Sequence, residues 1–157
     1  MTSRLWYNPS ISEAGREARA GVYEGERMNN MNKATQFLKE AKTFFIATTE
    51  GDQPRVRPFG AVAEIDGKTY ICMNNTKKVF AQLMKNPKVE ICGMIGMNWF
   101  RIWGTVVRDD RYEARKAFLE QAPIPMYKPD DGIFEVFYFD EVHGKYESLR
   151  DGLLEEF

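Results

Sequence analysis

The spacing of hydrophobic residues along the chain changes twice. Residues 1–30 are polar and hold few large apolar side chains, whereas apolar residues recur at helical spacing over 31–41 and then at the alternating spacing of strands. This pattern predicts an N-terminal arm over residues 1–30 and one folded domain over 31–157, which begins with a helix lying on the core. A chain of 157 residues has the length of one ordinary domain, in agreement with that division.

The predicted arm has too few apolar residues to form a core of its own. Ser12 can accept a hydrogen bond from the free amides of a first helical turn, which predicts a short helix over the residues SEAGREARA. We expect the large apolar residues of the arm to dock at the rim of a ligand cleft and form a lid: Leu5, Trp6, Ile11 and Tyr23. A disordered tail is the alternative that the same composition allows.

The segments that follow are β-branched, aromatic or alternating, which predicts about six strands. They cover residues 43–49, 55–65, 68–73, 88–95, 99–107 and 133–139, with an acidic tail after the last. The Asp66-Gly67 pair predicts a type I′ hairpin turn, because both central positions of that turn need positive φ. Pro58 cannot donate to a ladder, so its part of the second strand must lie at an edge, a bulge or a ligand-facing break.

Two helices interrupt the predicted strands. Thr76 begins the first, which ends at Asn86 because Pro87 disfavours helical geometry in the residue before it. A capping box of Asp110 and Glu113 begins the second, which runs to about residue 121. A mostly antiparallel sheet with peripheral helices predicts a mainly β fold, a closed or nearly closed β-barrel, rather than a parallel sheet.

Composition excludes several classes of partner. With 22 Lys and Arg against 23 Asp and Glu, the chain lacks the positive excess that gathers nucleic acid. No apolar run is long enough to span a bilayer and the first residues form no secretory signal, so we expect a cytoplasmic protein without a membrane partner. Cys72 and Cys92 lie in apolar alternating segments and predict reduced, buried thiols. Aromatic residues concentrate after Trp99, which favours a homodimer because one small barrel would not bury them.

Three segments carry side chains that could bind a small ligand. The first is the run Asn74-Asn75-Thr76-Lys77-Lys78, between a predicted strand and a predicted helix. Free backbone amides, the positive end of the helix dipole, a hydroxyl and two ammonium groups could converge there on a phosphate. A capped helix with two solvated lysines is the alternative.

The second segment covers residues 54–60. Arg55 and Arg57 stand at alternate positions and project to one side of the strand, while Pro58 and Gly60 break the ladder and leave backbone groups free to pair with a planar heterocycle. An edge strand with surface arginines is the alternative.

The third segment covers residues 99–104. Trp99, Arg101 and Trp103 share one face of a predicted strand. They could form a structural cation–π stack, or a cationic and aromatic wall for a ligand.

Taken in order, these segments resemble the pyridoxamine 5′-phosphate oxidase-like family of split β-barrels that bind flavin mononucleotide (FMN), over residues 31 to about 139. The resemblance implies a homodimer with two flavins in clefts between the subunits. It assigns one group to the isoalloxazine and ribityl chain: Arg55, Val56, Arg57, Pro58 and Phe59. A second group would bind the phosphate, with Gln82 supporting it: Asn75, Thr76, Lys77 and Lys78. Trp99 and Arg101 would approach from the partner subunit.

The chain departs from that family in two places. Met73 stands where the family often has Thr or Ser, which removes one hydroxyl that could contact the flavin. The carboxy-terminal arginine motif that pyridoxamine phosphate oxidases use for their vitamin substrate is missing, so vitamin B6 chemistry is not expected.

The sequence predicts neither a catalytic side chain nor a metal site, since no nucleophile stands with a base and His143 is alone beyond the last predicted strand. The resemblance implies an FMN-dependent oxidoreductase that passes electrons from NAD(P)H to a small acceptor, such as a nitroaromatic or a quinone. The alternatives are a flavin carrier without catalysis of its own, and the same barrel holding haem or a deazaflavin.

Overall fold

The computed structural model describes residues 12–157. Its helices are α1 (Glu13–Ala41), α2 (Lys78–Lys85) and α3 (Tyr112–Gln121). Its strands are β1 (Phe44–Glu50), β2 (Gln53–Phe59), β3 (Val62–Ile65), β4 (Lys68–Asn74), β5 (Lys88–Ile95), β6 (Asn98–Asp109), β7 (Phe134–Ser148) and β8 (Gly152–Glu156). No helix within residues 12–157 is long and apolar enough to cross a membrane.

The strands form one antiparallel sheet of eight strands, in the order β2-β1-β5-β6-β7-β4-β3, with β8 paired to β7. Strand, helix and sheet content therefore confirm the predicted fold class, a mainly β barrel with peripheral helices. The structure has two more strands than predicted, because the segment over 55–65 is broken at Gly60 into β2 and β3 and because β8 was not predicted. β2 lies at the edge of the sheet. Pro58 has no backbone N–H to donate, and an edge strand tolerates this because one of its sides has no partner strand.

The last predicted strand ends too early. β7 continues nine residues past Phe139 to Ser148, and β8 occupies the segment predicted as an acidic tail. Val142 and Gly144 are buried on the inner side of this extension, while charged residues alternate with them on the outer side. The segment was not predicted as a strand because it contains many polar residues. Only alternate positions of a half-buried strand need to be apolar.

The predicted hairpin turn between β3 and β4 is confirmed. Asp66 and Gly67 have φ values of 51° and 70°, and Ile65 pairs with Lys68. The positive φ favours glycine at position 67, and a Cβ there would lie 2.5 Å from Cε of Met28, so the end of that flexible side chain would have to move.

α1 is one helix, where the sequence predicts a short helix and a separate one. The Ser12 hydroxyl accepts from the Gly15 amide at 3.2 Å, as predicted for the cap. The helix then continues because no proline interrupts it before Ala41. Its side chains become buried only from Met31 onward, and Tyr23 is 60% exposed. Leu5, Trp6 and Ile11 lie outside the described residues, so docking of the arm stays a prediction.

Two hydrophobic clusters stabilise the fold. The larger cluster fills the barrel beneath α1 and contains Phe44, Ile71, Ile91, Phe100 and Phe137 among others. The smaller cluster lies on the other side of β4 and β7, covered by α3, and contains Tyr70, Cys72, Phe118, Phe134 and Val136 among others. β4 therefore buries both of its faces, because alternate residues point into different clusters.

Two local predictions are wrong. α3 has no capping box: it starts at Tyr112, its N-cap Arg111 makes no side-chain cap, and the Asp109 carboxylate accepts from the Arg111 amide at 3.1 Å instead. Cys92 is exposed, because the alternation of β5 places it on the outer face of the sheet. The prediction for Cys72 is confirmed, since that thiol is free and buried.

Candidate functional site

A cleft of about 500 Å³ opens where β2 and β4 end, beside the start of α2. We name it the β2–β4 cleft. Its lining comprises Arg57, Pro58, Phe59, Gly60, Ala61, Cys72, Met73, Asn74, Lys77, Lys78, Val79, Ile124 and Tyr127. It therefore brings together the first two segments that the sequence predicted, which lie some twenty residues apart in the chain.

Glu50 joins the cations of the two segments. Its carboxylate accepts from Arg55, with the Nη2 atom 2.6 Å from Oε2, and lies 3.4 Å from Nζ of Lys78. Hydrogen bonds from Arg55 and then Lys78 lower the pKa of Glu50 below its ordinary value. The Arg55 charge is thus neutralised within the protein, and Lys78 shares the same carboxylate. Arg55 and Val56 are exposed and do not line the cleft.

Asn74 and Asn75 shape the loop before α2. The Asn74 side-chain oxygen accepts from the amide and the hydroxyl of Thr76, at 2.8 and 2.7 Å. Asn75 donates from Nδ2 to Glu135 and to the Gly132 carbonyl, at 3.1 and 2.9 Å. Asn75 and Thr76 therefore bond the loop itself and do not line the cleft, and α2 begins at Lys78 rather than at the predicted Thr76.

Arg57 lies at the rim of the cleft on two buried polar side chains. Its Nη1 donates to the Thr48 hydroxyl at 2.6 Å, and its Nη2 donates to Oε1 of Gln82 at 2.7 Å. The Thr48 hydroxyl donates in turn to the same Gln82 oxygen at 2.6 Å. Burial, and then the neighbouring charge of Arg55, lower the pKa of Arg57 from its ordinary value, although an arginine remains cationic at any physiological pH.

Gln82 thus lies behind Arg57 and outside the cleft lining. The sequence resemblance assigned it to the phosphate end; in the structure its side chain bonds Arg57 and Thr48. Thr48 was missed altogether, because it belongs to a strand that the sequence marks only as core. Its closeness to Gln82 of α2 and Arg57 of β2 is visible only in the folded structure.

The opposite wall of the cleft comes from the loop after α3, which sequence reasoning also missed. Ile124 and Tyr127 line it, and the Tyr127 ring packs on Phe134 with centroids 5.2 Å apart. The loop is held in place by Arg115, whose Nε donates to the Pro129 carbonyl at 2.6 Å. The sequence feature that could have indicated this wall is the presence of Ile124 and Tyr127 in a loop otherwise rich in prolines and charged residues.

Cys72 and Met73 contribute the floor of the cleft at the end of β4. Both are buried, and burial raises the pKa of the Cys72 thiol to about 12. The thiol is therefore neutral at physiological pH and acts as an apolar surface rather than as a nucleophile.

Trp99 and Arg101 do not line the cleft. They lie on β6 and both bond Glu147 of β7: the Trp99 indole donates at 3.2 Å and Arg101 donates from Nη2 at 3.0 Å. Arg101 thus pairs with a carboxylate, on the face where the sequence allowed either a stack between indoles or a wall for a ligand. Trp103 packs on His143, which belongs to β7 and not to a segment beyond the last strand.

These β6 side chains share the outer face of the sheet with exposed residues of β1 and β5. Register pairs Phe45 with both Cys92 and Pro58, and pairs Met94 with Trp99, so these side chains point to one side. Phe45 and Met94 are 47% and 54% exposed. We call this surface, which comprises Phe45, Cys92, Met94, Trp99 and Trp103, the outer sheet face; through Pro58 it adjoins the β2–β4 cleft.

A second hollow, of about 300 Å³, lies near Tyr70 and Asp109. Its cations are already bonded: Arg111 pairs with Asp109 at 2.7 Å, Arg108 pairs with Glu135 at 2.8 Å, and Lys68 lies over the Tyr138 ring. The charges of this hollow are therefore largely neutralised, which makes it a weaker candidate for an anionic ligand.

Comparison with known proteins gives one family. The model of the pyridoxamine 5′-phosphate oxidase family matches residues 31–140. A solved NimC/NimA family protein from Clostridium acetobutylicum is 49% identical, with 86% of this chain and 96% of that chain covered and a TM-score of 0.82. No curated protein matches the chain.

More distant structures share the fold alone. A pyridoxamine 5′-phosphate oxidase-related, FMN binding protein from Nostoc punctiforme is 17% identical, with 93% of this chain and 90% of that chain covered and a TM-score of 0.58. A heme binding protein from Mycobacterium smegmatis is 14% identical, with 84% of this chain and 56% of that chain covered and a TM-score of 0.60. One barrel fold therefore accommodates proteins that are named for different cofactors.

Proposed function

The chain belongs to the pyridoxamine 5′-phosphate oxidase family, and from this premise we propose that it binds FMN and acts as an oxidoreductase, passing electrons from NAD(P)H to a small acceptor. The observation that carries the proposal is the division of the β2–β4 cleft into a cationic end and an apolar wall. The cationic end holds Arg57, Lys77 and Lys78, and the apolar wall includes Phe59 and Tyr127.

The residues present fit a phosphate monoester joined to a flat ring. Arg57 and Lys77 form no ion pair among residues 12–157, so their charges are open to an anionic ligand. Pro58, Phe59 and Ile124 supply apolar surface for a planar heterocycle, and a cleft of about 500 Å³ lies within the range of small cofactor sites. When bound there, FMN would accept a hydride and pass the electrons on, one or two at a time.

The protein's own contribution would be binding, orientation and exclusion of water. Positive potential from Arg57 favours an anionic ligand, and the loop with Tyr127 shields one side of the cleft. Because the Cys72 thiol stays protonated, it would contact the ligand as an apolar surface and not as a nucleophile.

We further propose that a second copy of the chain covers the outer sheet face. Exposed apolar side chains such as Phe45 and Met94 on a contiguous sheet surface favour an interface. Since Pro58 belongs both to this surface and to the cleft, a partner seated there would reach the bound cofactor, with its own Trp99 and Arg101 as the nearest candidates.

The absorbance spectrum of the purified protein tests the cofactor. A flavin spectrum, with FMN released on denaturation, is the expected result. A Soret band would overturn the proposal in favour of haem, and a deazaflavin spectrum would overturn it in favour of that relative of FMN.

Electron transfer tests the activity. We expect NADH or NADPH to bleach the flavin under anaerobic conditions, and a nitroaromatic or a quinone to restore its colour within the turnover time. If the protein retains FMN tightly but neither nicotinamide reduces it, the enzyme assignment fails and the protein is a flavin carrier.

A further inference from the structure

We propose that Thr48 and Gln82 are positioning residues that hold Arg57 with one edge of its guanidinium open to the phosphate of the cofactor; this inference rests on the proposed function. The three side chains come from β1, α2 and β2 and meet at the rim of the β2–β4 cleft. Thr48 and Gln82 are 4% and 7% exposed, so their polar atoms are surrounded by protein and not by bulk water.

The hydrogen bonds define which edge of Arg57 is held. Thr48 Oγ1 and Gln82 Oε1 lie 2.6 Å apart and accept from Nη1 and Nη2, so together they occupy the edge between those two nitrogens. The edge formed by Nε and Nη2 has no carboxylate among the described residues. A guanidinium carries five N–H groups, and donors remain on that second edge.

Other arginines of the same chain show what the second edge is suited to bind. Arg108 grips Glu135 with Nε and Nη2, at 2.8 and 2.9 Å. Arg111 grips Asp109 with the same two nitrogens, at 3.0 and 2.7 Å. In Arg57 this bidentate edge is left for a ligand, and planar paired donors match the oxygens of a phosphate.

The chemistry of the two acceptors explains why the charge stays available. A hydroxyl and a carboxamide orient the guanidinium without neutralising it, whereas Glu50 neutralises the nearby Arg55. Because the Thr48 hydroxyl donates to Gln82 while it accepts from Arg57, the bonds fix the rotamers of all three side chains. Arg57 is thereby held in one orientation before the ligand arrives, which lowers the entropy lost on binding.

The first test substitutes the hydroxyl and keeps the shape. Thr48→Val is compared with Thr49→Val, its neighbour on the exposed side of β1, whose hydroxyl bonds Asn86 and not Arg57. We expect Thr48→Val to weaken FMN binding by about 10-fold or more and to weaken riboflavin binding little, since riboflavin lacks the phosphate. Thr49→Val should change neither, and Thr48→Ser should restore FMN affinity.

The second test changes charge at constant shape. Gln82→Glu places a carboxylate beside Arg57, which would neutralise the guanidinium within the protein. We therefore expect this variant to lose more FMN affinity than Thr48→Val does, again with riboflavin affinity little changed. Equal weakening of FMN and riboflavin by both variants overturns the inference, and so does unchanged FMN binding in folded Gln82→Glu. This variant carries the test if Thr48→Val does not fold.

A third probe separates the inference from the proposed function. Inorganic phosphate, at constant ionic strength, should raise the thermal midpoint of the flavin-free wild type, and this shift should shrink in Gln82→Glu. Stabilisation by phosphate without FMN binding would reject the proposed function and keep the anion site. FMN binding with the same phosphate shift in wild type and Gln82→Glu would keep the function and reject the role of Gln82 and Thr48.

Discussion

At the scale of single residues, some cations around the β2–β4 cleft are paired with a carboxylate of the protein and others are not. Arg55 is paired with Glu50, Lys78 shares that carboxylate at 3.4 Å, and Lys77 and Arg57 have no acidic partner among the described residues. An anion entering the cleft would therefore interact most strongly with Lys77 and Arg57. The position of Glu50 at the end of β1 sets this order.

We expect the double substitution Lys77→Ala with Lys78→Ala to weaken FMN binding much more than riboflavin binding. Two charge-assisted contacts to phosphate would be lost, each worth about 1.5–3 kcal/mol. Calorimetric titration with both ligands measures the difference. Lys85→Ala with Lys88→Ala is the matched control, because these lysines are exposed and do not line the cleft. Equal weakening of the two ligands would remove Lys77 and Lys78 from the phosphate site.

The ion pair between buried Asp109 and half-exposed Arg111 makes the stability of the fold depend on pH. Hydrogen bonds from Arg111, with a further one from the Tyr70 hydroxyl, lower the pKa of Asp109 to about 2. Since the folded-state pKa lies below that of the unfolded chain, the stabilisation is fully present above about pH 4 and is lost as pH falls towards 2.

We therefore expect Asp109→Asn to lower the free energy of unfolding near neutral pH by about 1–2 kcal/mol and to flatten its decline between pH 4 and 2. Urea unfolding at a series of pH values measures both effects. An unchanged acid limb in the variant would show that Asp109 does not contribute to the pH dependence.

At the scale of elements, α1 has two halves with different surroundings. The half from Met31 onward packs on the barrel, while the half before Gly25 is exposed along almost its whole length. Between them, Arg27 and Asn30 reach the Asp140 and Val142 carbonyls of β7 at 3.4 Å. The boundary between a docked and a projecting segment thus lies a few residues before the predicted end of the arm.

The lid hypothesis for the arm is testable by deletion of residues 1–24, which leaves the contacts of Arg27, Met28 and Asn30 in place. The truncated protein should stay folded, because the side chains of residues 12–24 belong to neither core cluster. If the arm covers the cofactor, the flavin of the truncated protein should become more accessible to solvent quenchers, and the truncated protein should reduce a wider range of acceptors. Unchanged quenching and unchanged acceptor kinetics would show that the arm is not a lid.

At the scale of the whole molecule, the outer sheet face determines the expected assembly. Its exposed apolar residues adjoin the cleft through Pro58, so association and cofactor binding should be coupled. A ligand bound by both subunits stabilises the dimer, and the dimer in turn strengthens ligand binding.

We expect Phe45→Lys with Met94→Lys to produce a monomer that binds FMN more weakly than the wild type. Burying two ammonium groups against an apolar partner surface is unfavourable, and the partner's contribution to the cleft is lost with it. Light scattering with flavin quantification measures both properties. Leu149→Lys is the control, since Leu149 is 88% exposed in the turn between β7 and β8. A wild-type monomer that holds stoichiometric flavin would contradict the expectation.

Features that depend on neighbours along the chain were predictable from the order of residues alone. Strand alternation gave the antiparallel barrel, the Asp66-Gly67 pair gave the hairpin, and Pro58 with Gly60 gave an edge strand that breaks. Lys77 and Lys78 stood out because a strand, a loop and a helix start follow one another there. Each of these signals is local, since turn angles, ladder donors and helix dipoles depend on a few adjacent residues.

The side chains that meet across the sheet were predictable only from the packed fold. Thr48 is one of two adjacent threonines, and nothing in the sequence tells which of them lies under Arg57; strand register does. Tyr127 reaches the cleft because α3 covers β4 and β7 and turns its following loop towards β2. Sequence specifies which way each side chain points within its own element, whereas contacts between elements arise from packing the whole barrel, which no short window of residues contains.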